Sequence, residues 1–165
     1  MPYSQTLLPE FDQEMSNTRK LLNCLPENIS DYKPHAKSMP LNRLAGHVAE
    51  LPSWIVSTID LDVLDLQPGM QPYMPKTKKE VLENFDKNVA AARPKILSAS
   101  DEHLAKTWTL RFAGKEVLSM PRTAILRGVI LNHLIHHRAQ LGVYLRLNNI
   151  PVPSVYGPSA DEGSL

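Results

Sequence analysis

Four stretches of this chain repeat apolar residues at steps of three and four, and that period is what most restricts the folds open to it. The first runs from about Ser4 to Cys24, with Leu7, Leu8, Phe11, Met15, Leu21 and Leu22 forming a stripe that Pro26 ends. The second runs from about Pro40 to Leu61 through Leu41, Leu44, Val48, Leu51, Ile55 and Ile59, and its internal Pro52 predicts a bend. The third starts at Thr77, whose side chain with Glu80 three residues on makes a capping box, and continues past Pro94 to about Ser98. The fourth extends from about Pro121 to Leu147. Between the last two, Thr107 to Phe112 alternates polar and apolar before Ala113-Gly114, which predicts a short hairpin or extended crossover. Leu66 to Pro75 and the tail from Pro151 to Leu165 read as non-helical. Each stripe must bury its apolar face, so the expected fold is all-α: a four-helix bundle with a short extended segment before the last helix.

Composition limits what such a bundle does. A chain of 165 residues fits one domain, residues 1–165, with a real core. Net charge is only +1 and basic runs are absent, so a nucleic-acid partner is not expected. The sequence has neither a signal-peptide pattern at its start nor an apolar run long enough for a membrane span. Cys24 is the only cysteine, which fits a reducing cytoplasmic setting and leaves no intramolecular disulfide.

Chemistry concentrates in the fourth helix. His133, His136 and His137 are three of the chain's six histidines, and they stand among apolar residues. His133 and His137 are four apart, which places both imidazoles on one helix face, as a metal ion bound by one helix requires. The glutamate of the zinc-protease helix motif is replaced by Leu134, so any further ligand comes from elsewhere. His47 interrupts the stripe of the second helix between Leu44 and Leu51 and so points into the bundle. With His133 and His137 it offers three neutral nitrogens and leaves coordination positions open, the arrangement of a catalytic metal rather than a closed structural one. Spacing alone also permits His136 to pair with His133, but the apolar stripe leaves it to one side, as an outer or interface residue. His35 and His103 read as solvent-facing.

Other residues have weaker claims. Glu50, three residues after His47, is a candidate base or metal-supporting group, although solvated helix glutamates are commoner. Arg138 and Arg146 read first as surface or dimer salt-bridge formers and second as an anion clamp. Tyr156 either anchors the tail or closes over the metal pocket. Trp54 and Trp108 read first as packing residues and second as pocket-lining ones, and Cys24 has no basic neighbour but Lys20, which argues against a nucleophile.

Leu44-Ala45-Gly46-His47-Val48, Asn132-His133, His136-His137-Arg138-Ala139-Gln140-Leu141, Tyr144-Leu145-Arg146, Val152-Pro153 and Tyr156 to Glu162 form an ordered series. It resembles the DinB family, also described as DinB/YfiT-like metal-dependent proteins. Ala139 stands where that family usually has glycine. The resemblance implies an up-down-down-up four-helix bundle, a divalent ion on His47, His133 and His137, and commonly a homodimer. Zinc or nickel would be preferred over iron or copper. It also implies that the function is either metal-dependent catalysis on a small-molecule substrate or non-catalytic. Characterised relatives include thiol-dependent S-transferases and a maleylpyruvate isomerase that use low-molecular-weight thiols, and hydrolysis by an activated water is the other catalytic form. A metal-binding stress-response or interaction protein without turnover is the alternative.

Overall fold

The computed structural model describes residues 2–163, so Met1, Ser164 and Leu165 lie outside the described residues. Helix α1 (Tyr3–Asn23) buries Leu7, Phe11, Met15, Leu21 and Leu22 along one side. The second expected helix is two. Its halves, α2 (Leu41–Glu50) and α3 (Ser53–Asp60), are separated by a turn at Leu51-Pro52. Pro52 has no N–H to continue the ladder. The backbone instead closes tighter loops, Trp54 N–H to Leu51 O at 3.1 Å and Ile55 N–H to Pro52 O at 3.2 Å. Leu44, Val48, Leu51, Ile55 and Ile59 from both halves and the turn nevertheless remain buried together.

Helix α4 (Lys78–Ser98) begins at Thr77, whose hydroxyl accepts from Glu80 N–H at 3.2 Å. Glu80 returns a bond to Lys76 N–H at 2.8 Å, one residue earlier than in a standard capping box. A short α5 (Asp101–Ala105) leads into the hairpin. Beyond it, α6 (Arg122–Ala124), a π-helical stretch (Ile125–Leu131) and α7 (Asn132–Leu147) form one unbroken rod.

Ion pairs along the helices fix their directions. Asp12 with Arg93 and Arg19 with Asp86 make α1 antiparallel to α4. Lys95 with Asp60, and Asn88 donating to Ala49 O, make α4 parallel to α2–α3. Glu10 with Arg127 and Glu14 with Arg138 make the last rod parallel to α1. Phe11, Leu22, Leu44, Phe85, Leu126 and Leu141 meet in one core between the rods.

The fold is mostly helical but not all-α. Strands β1 (Val63–Leu66), β2 (Thr107–Phe112) and β3 (Lys115–Pro121) form a mixed sheet in that order. The expected hairpin is β2–β3. Its Ala113-Gly114 turn holds both residues at positive φ, 51° and 77°, as a two-residue hairpin connection demands. The addition is β1, which pairs parallel to β2 with Leu66 opposite Phe112. Asp65 locks it by accepting Gly114 N–H at 3.1 Å.

Arg122, fully buried, joins sheet to helices. Its guanidinium donates to the carbonyls of Thr58 (2.8 Å), Leu61 (2.8 Å), Lys106 (3.2 Å) and Thr107 (3.0 Å), and to Asp62 Oδ1 at 2.6 Å. Thr58, Leu61 and Lys106 lie where helical ladders end and Thr107 opens β2, and one side chain bonds all four carbonyls.

Candidate metal centre

Helix α2 delivers His47 and α7 delivers His133 and His137, one turn apart, to the same place. The ring centroids are 4.9 Å (His47–His133), 4.7 Å (His47–His137) and 4.6 Å (His133–His137) apart. A ligand nitrogen from each lies within 4.8 Å of the other two. His47 Nε2 and His133 Nε2 are separated by 3.2 Å. Two nitrogens on one tetrahedral ion at ordinary zinc–nitrogen distances stand roughly 3.3–3.4 Å apart, so this donor set fits a divalent ion.

The electrostatics agree with that use. Burial, then proximity to His137, His133 and Arg43, pushes His47 down to a pKa of about 3. His133 is lowered by burial and by His137 and His136. His137 is lowered chiefly by burial, against the upward pull of its bond to Gln140. All three imidazoles are therefore neutral near pH 7, which is the ligating form.

Gln140, absent from the sequence-based candidates, sets the orientation of His137. Its Oε1 sits 2.8 Å from His137 Nδ1. A carboxamide oxygen only accepts, so Nδ1 carries the proton and Nε2 keeps the free lone pair. The Gln140 amide then donates to His136 Nε2 at 3.0 Å. His136 is exposed and lies outside the triad, its ring 4.9 Å from that of His137. The signal for Gln140 was available in its position three residues after His137, on the same helix face.

His47 also forms part of the wall of a cleft of about 520 Å³ that runs between α2–α3 and the loop following β1. Glu50 lines it too, with Arg43 Nη1 3.0 Å from Glu50 Oε2. Burial raises the Glu50 pKa, and Arg43 opposes the rise. Arg43 was missed in the sequence although it stands four residues before His47 on the same face. Trp54 takes the pocket-lining alternative, half-buried in this wall, whereas Trp108 is fully buried and donates to Ser57 O at 3.3 Å. Gly46 allows the far end of the loop to close on α2. A Cβ there would come within 2.7 Å of both Tyr73 O and Pro75 Cδ.

Several sequence expectations move. His103 is not solvent-facing, because its Nε2 donates to Ile59 O at 2.8 Å. His35 is exposed, as expected. Arg138 is buried rather than at the surface, 3% exposed, with Nη1 2.6 Å from Glu14 Oε2. Tyr156 is not among the residues that line the cleft beside His47. Its hydroxyl donates to Glu14 Oε2 at 2.7 Å and accepts from Arg138 Nη2 at 2.5 Å, so it anchors the tail. Arg146 pairs with Asp161 of the same tail. Cys24 is half-buried, and burial raises its thiol pKa, the opposite of nucleophile activation.

The sequence profile of the DinB family matches residues 1–164. This chain belongs to the DinB family. The uncharacterized protein YrdA of Bacillus subtilis (strain 168) is 25% identical over 156 residues, 94% of this chain and 89% of YrdA. A DinB-like protein from Bacillus cereus ATCC 10987 has the same fold, with a TM-score of 0.74 at 22% identity, covering 94% of this chain and 98% of that one. The DinB-like protein YjoA from Bacillus subtilis gives a TM-score of 0.66 at 15% identity, covering 91% and 97%. At such identities the two structures speak for the DinB fold alone.

Proposed function

We propose that His47, His133 and His137 hold a divalent metal ion, zinc or nickel before iron or copper, and that the protein is a metal-dependent enzyme. The observation that carries this reading is the convergence of three neutral imidazoles from two helices, one of which, His47, also lines an open cleft. The reaction class that fits is thiol-dependent S-transfer or hydrolysis. An ion held there supplies a Lewis acid that lowers the pKa of a thiol or water, making it a nucleophile at neutral pH.

The chain's own residues have definable tasks. Gln140 holds His137 in the tautomer that presents Nε2. Glu50, with its pKa raised and its carboxylate on the cleft wall, is placed to take a proton from an entering thiol or water. Arg43 holds Glu50 in position through their 3.0 Å bond. A cytoplasmic location belongs to the same proposal; among the described residues no helix is long and apolar enough to cross a membrane. A homodimer is part of the same proposal, on family grounds.

One observation favours the non-catalytic alternative. The triad links α2 to α7 across the bundle, so an ion there would also staple two helices that are distant in sequence. Metal analysis of the purified protein tests the common ground. We expect one ion per chain, lost in His47→Ala, and unchanged metal content in that variant would sink the ligand assignment. Assay of the loaded protein with a panel of low-molecular-weight thiols and an electrophile then separates the two readings, since a fully loaded protein without turnover is the non-catalytic one.

A further inference from the structure

The cleft beside His47 has two chemically different halves. Arg43, His47, Glu50, Trp54 and Ser57 follow one another at steps of four and three, one continuous face of α2–α3 maintained across the Pro52 turn. Arg43, His47 and Glu50 stand at one end of that row, with Trp54 and then Ser57 further along it. The facing wall is mixed, with Gln67 and Gln71 on the loop, but its large side chains are apolar. Leu66 and Phe112 are directly opposed in the β1–β2 ladder and so project from the same side of the sheet, and Met70 adds to them from the loop. Phe112 is 49% exposed and Met70 65%, large apolar side chains at the mouth of a concave surface.

We propose that this cleft binds a small amphipathic organic molecule, with an apolar aromatic or branched body between Trp54 and Phe112 and one hydrogen-bonding head directed to Arg43 and Glu50. A volume of about 520 Å³ is of the size that takes drug-sized ligands. Charge argues against a polyanion. No lysine lines the cleft, and its one arginine is balanced by Glu50 at 3.0 Å. The backbone of both walls is held by contacts of its own. Phe112 is fixed by pairing on both sides of β2, and the loop is stiffened by Pro68 and Pro72 and seated against Gly46 at Tyr73. Preformed walls reduce the ordering cost of binding. As an assignment of substrate class this rests on the metal-centre reading, but the binding site itself can be tested without metal.

The test uses the neutral aromatic dye N-phenyl-1-naphthylamine, bright only when shielded from water, titrated into the full chain after chelation and again after zinc loading. The expected result is one dye per chain in both states, with quenching of Trp54 emission. Phe112→Ser and Met70→Ser, both at exposed positions, should each weaken binding about ten-fold or more. Leu97→Ser, at an exposed apolar residue on α4 away from the cleft, should bind as the native protein does. Absence of dye binding overturns the proposal, as does equal weakening in the Leu97 variant, or native affinity in both cleft variants. Loss of dye binding as chains associate at higher concentration also overturns it, by giving the cleft to a second copy. If His47→Ala keeps its metal while the native cleft binds dye, the metal reading fails and the binding site stands.

Discussion

At the scale of single residues, the candidate centre depends on groups that never touch its middle. Gln140 is the clearest case, since it alone decides which nitrogen of His137 is free. Gln140→Leu should lower metal affinity about 10–100-fold, the usual cost of losing such a supporting bond. Competition with a chromophoric chelator measures it, and native affinity would show that His137 orients without help. His47, His133 and His137 were readable in the sequence because each stands on or beside an apolar stripe where an imidazole is out of place. Arg138 was readable too, and was misread. It falls four residues after Leu134 and three before Leu141, squarely on the buried stripe. Its charge argued for the surface, but the partner that makes burial tolerable, Glu14, lies 124 positions away and leaves no local trace.

Elements show the same division between local and distant causes. The hairpin and the Thr77 cap were legible because their determinants are adjacent residues. Strand β1 was not, because a parallel pair between Val63–Leu66 and Thr109–Phe112 is specified only once the helices between them have packed. Gly46 shows how closely one such element fits another. Gly46→Ala would favour α2 as an isolated helix but drive its Cβ against the backbone of Tyr73. We expect a net loss of about 1–3 kcal/mol from the forced displacement, read from the urea midpoint. A stabilised variant would mean that the loop does not seat on α2 as described.

The whole molecule should register the triad in its acid stability. All three histidines have folded-state pKa values below the ordinary 6.5, with His47 at about 3. The unfolded chain therefore takes up protons first as pH falls. For metal-free protein, stability is fully present above about 6.5 and declines as pH drops towards the folded-state values. Thermal midpoints between pH 7.5 and 5 should show that slope, and a variant with the three histidines changed to glutamine should flatten it; equal slopes would remove the triad as its source. Scale also explains the last structural surprise, the π-helical stretch Ile125–Leu131. Arg122, Leu126, Ile130, Leu134 and Arg138 are all buried at unbroken steps of four, and in an α-helix each such step drifts about 40° around the axis. A wider π turn absorbs the drift, so a run of five buried positions at steps of four was the available hint. The rod thus carries a surplus residue that works as an angular setting between its ends, one gripping the sheet through Arg122, the other presenting His133 and His137. Deleting exposed Gly128 would let the stretch relax to α-helix and turn one end against the other by about 100°. Such a variant should keep its helical circular dichroism yet either lose bound metal or expose Trp108, because a rod with its joint removed can face the sheet or the histidine of α2, but not both.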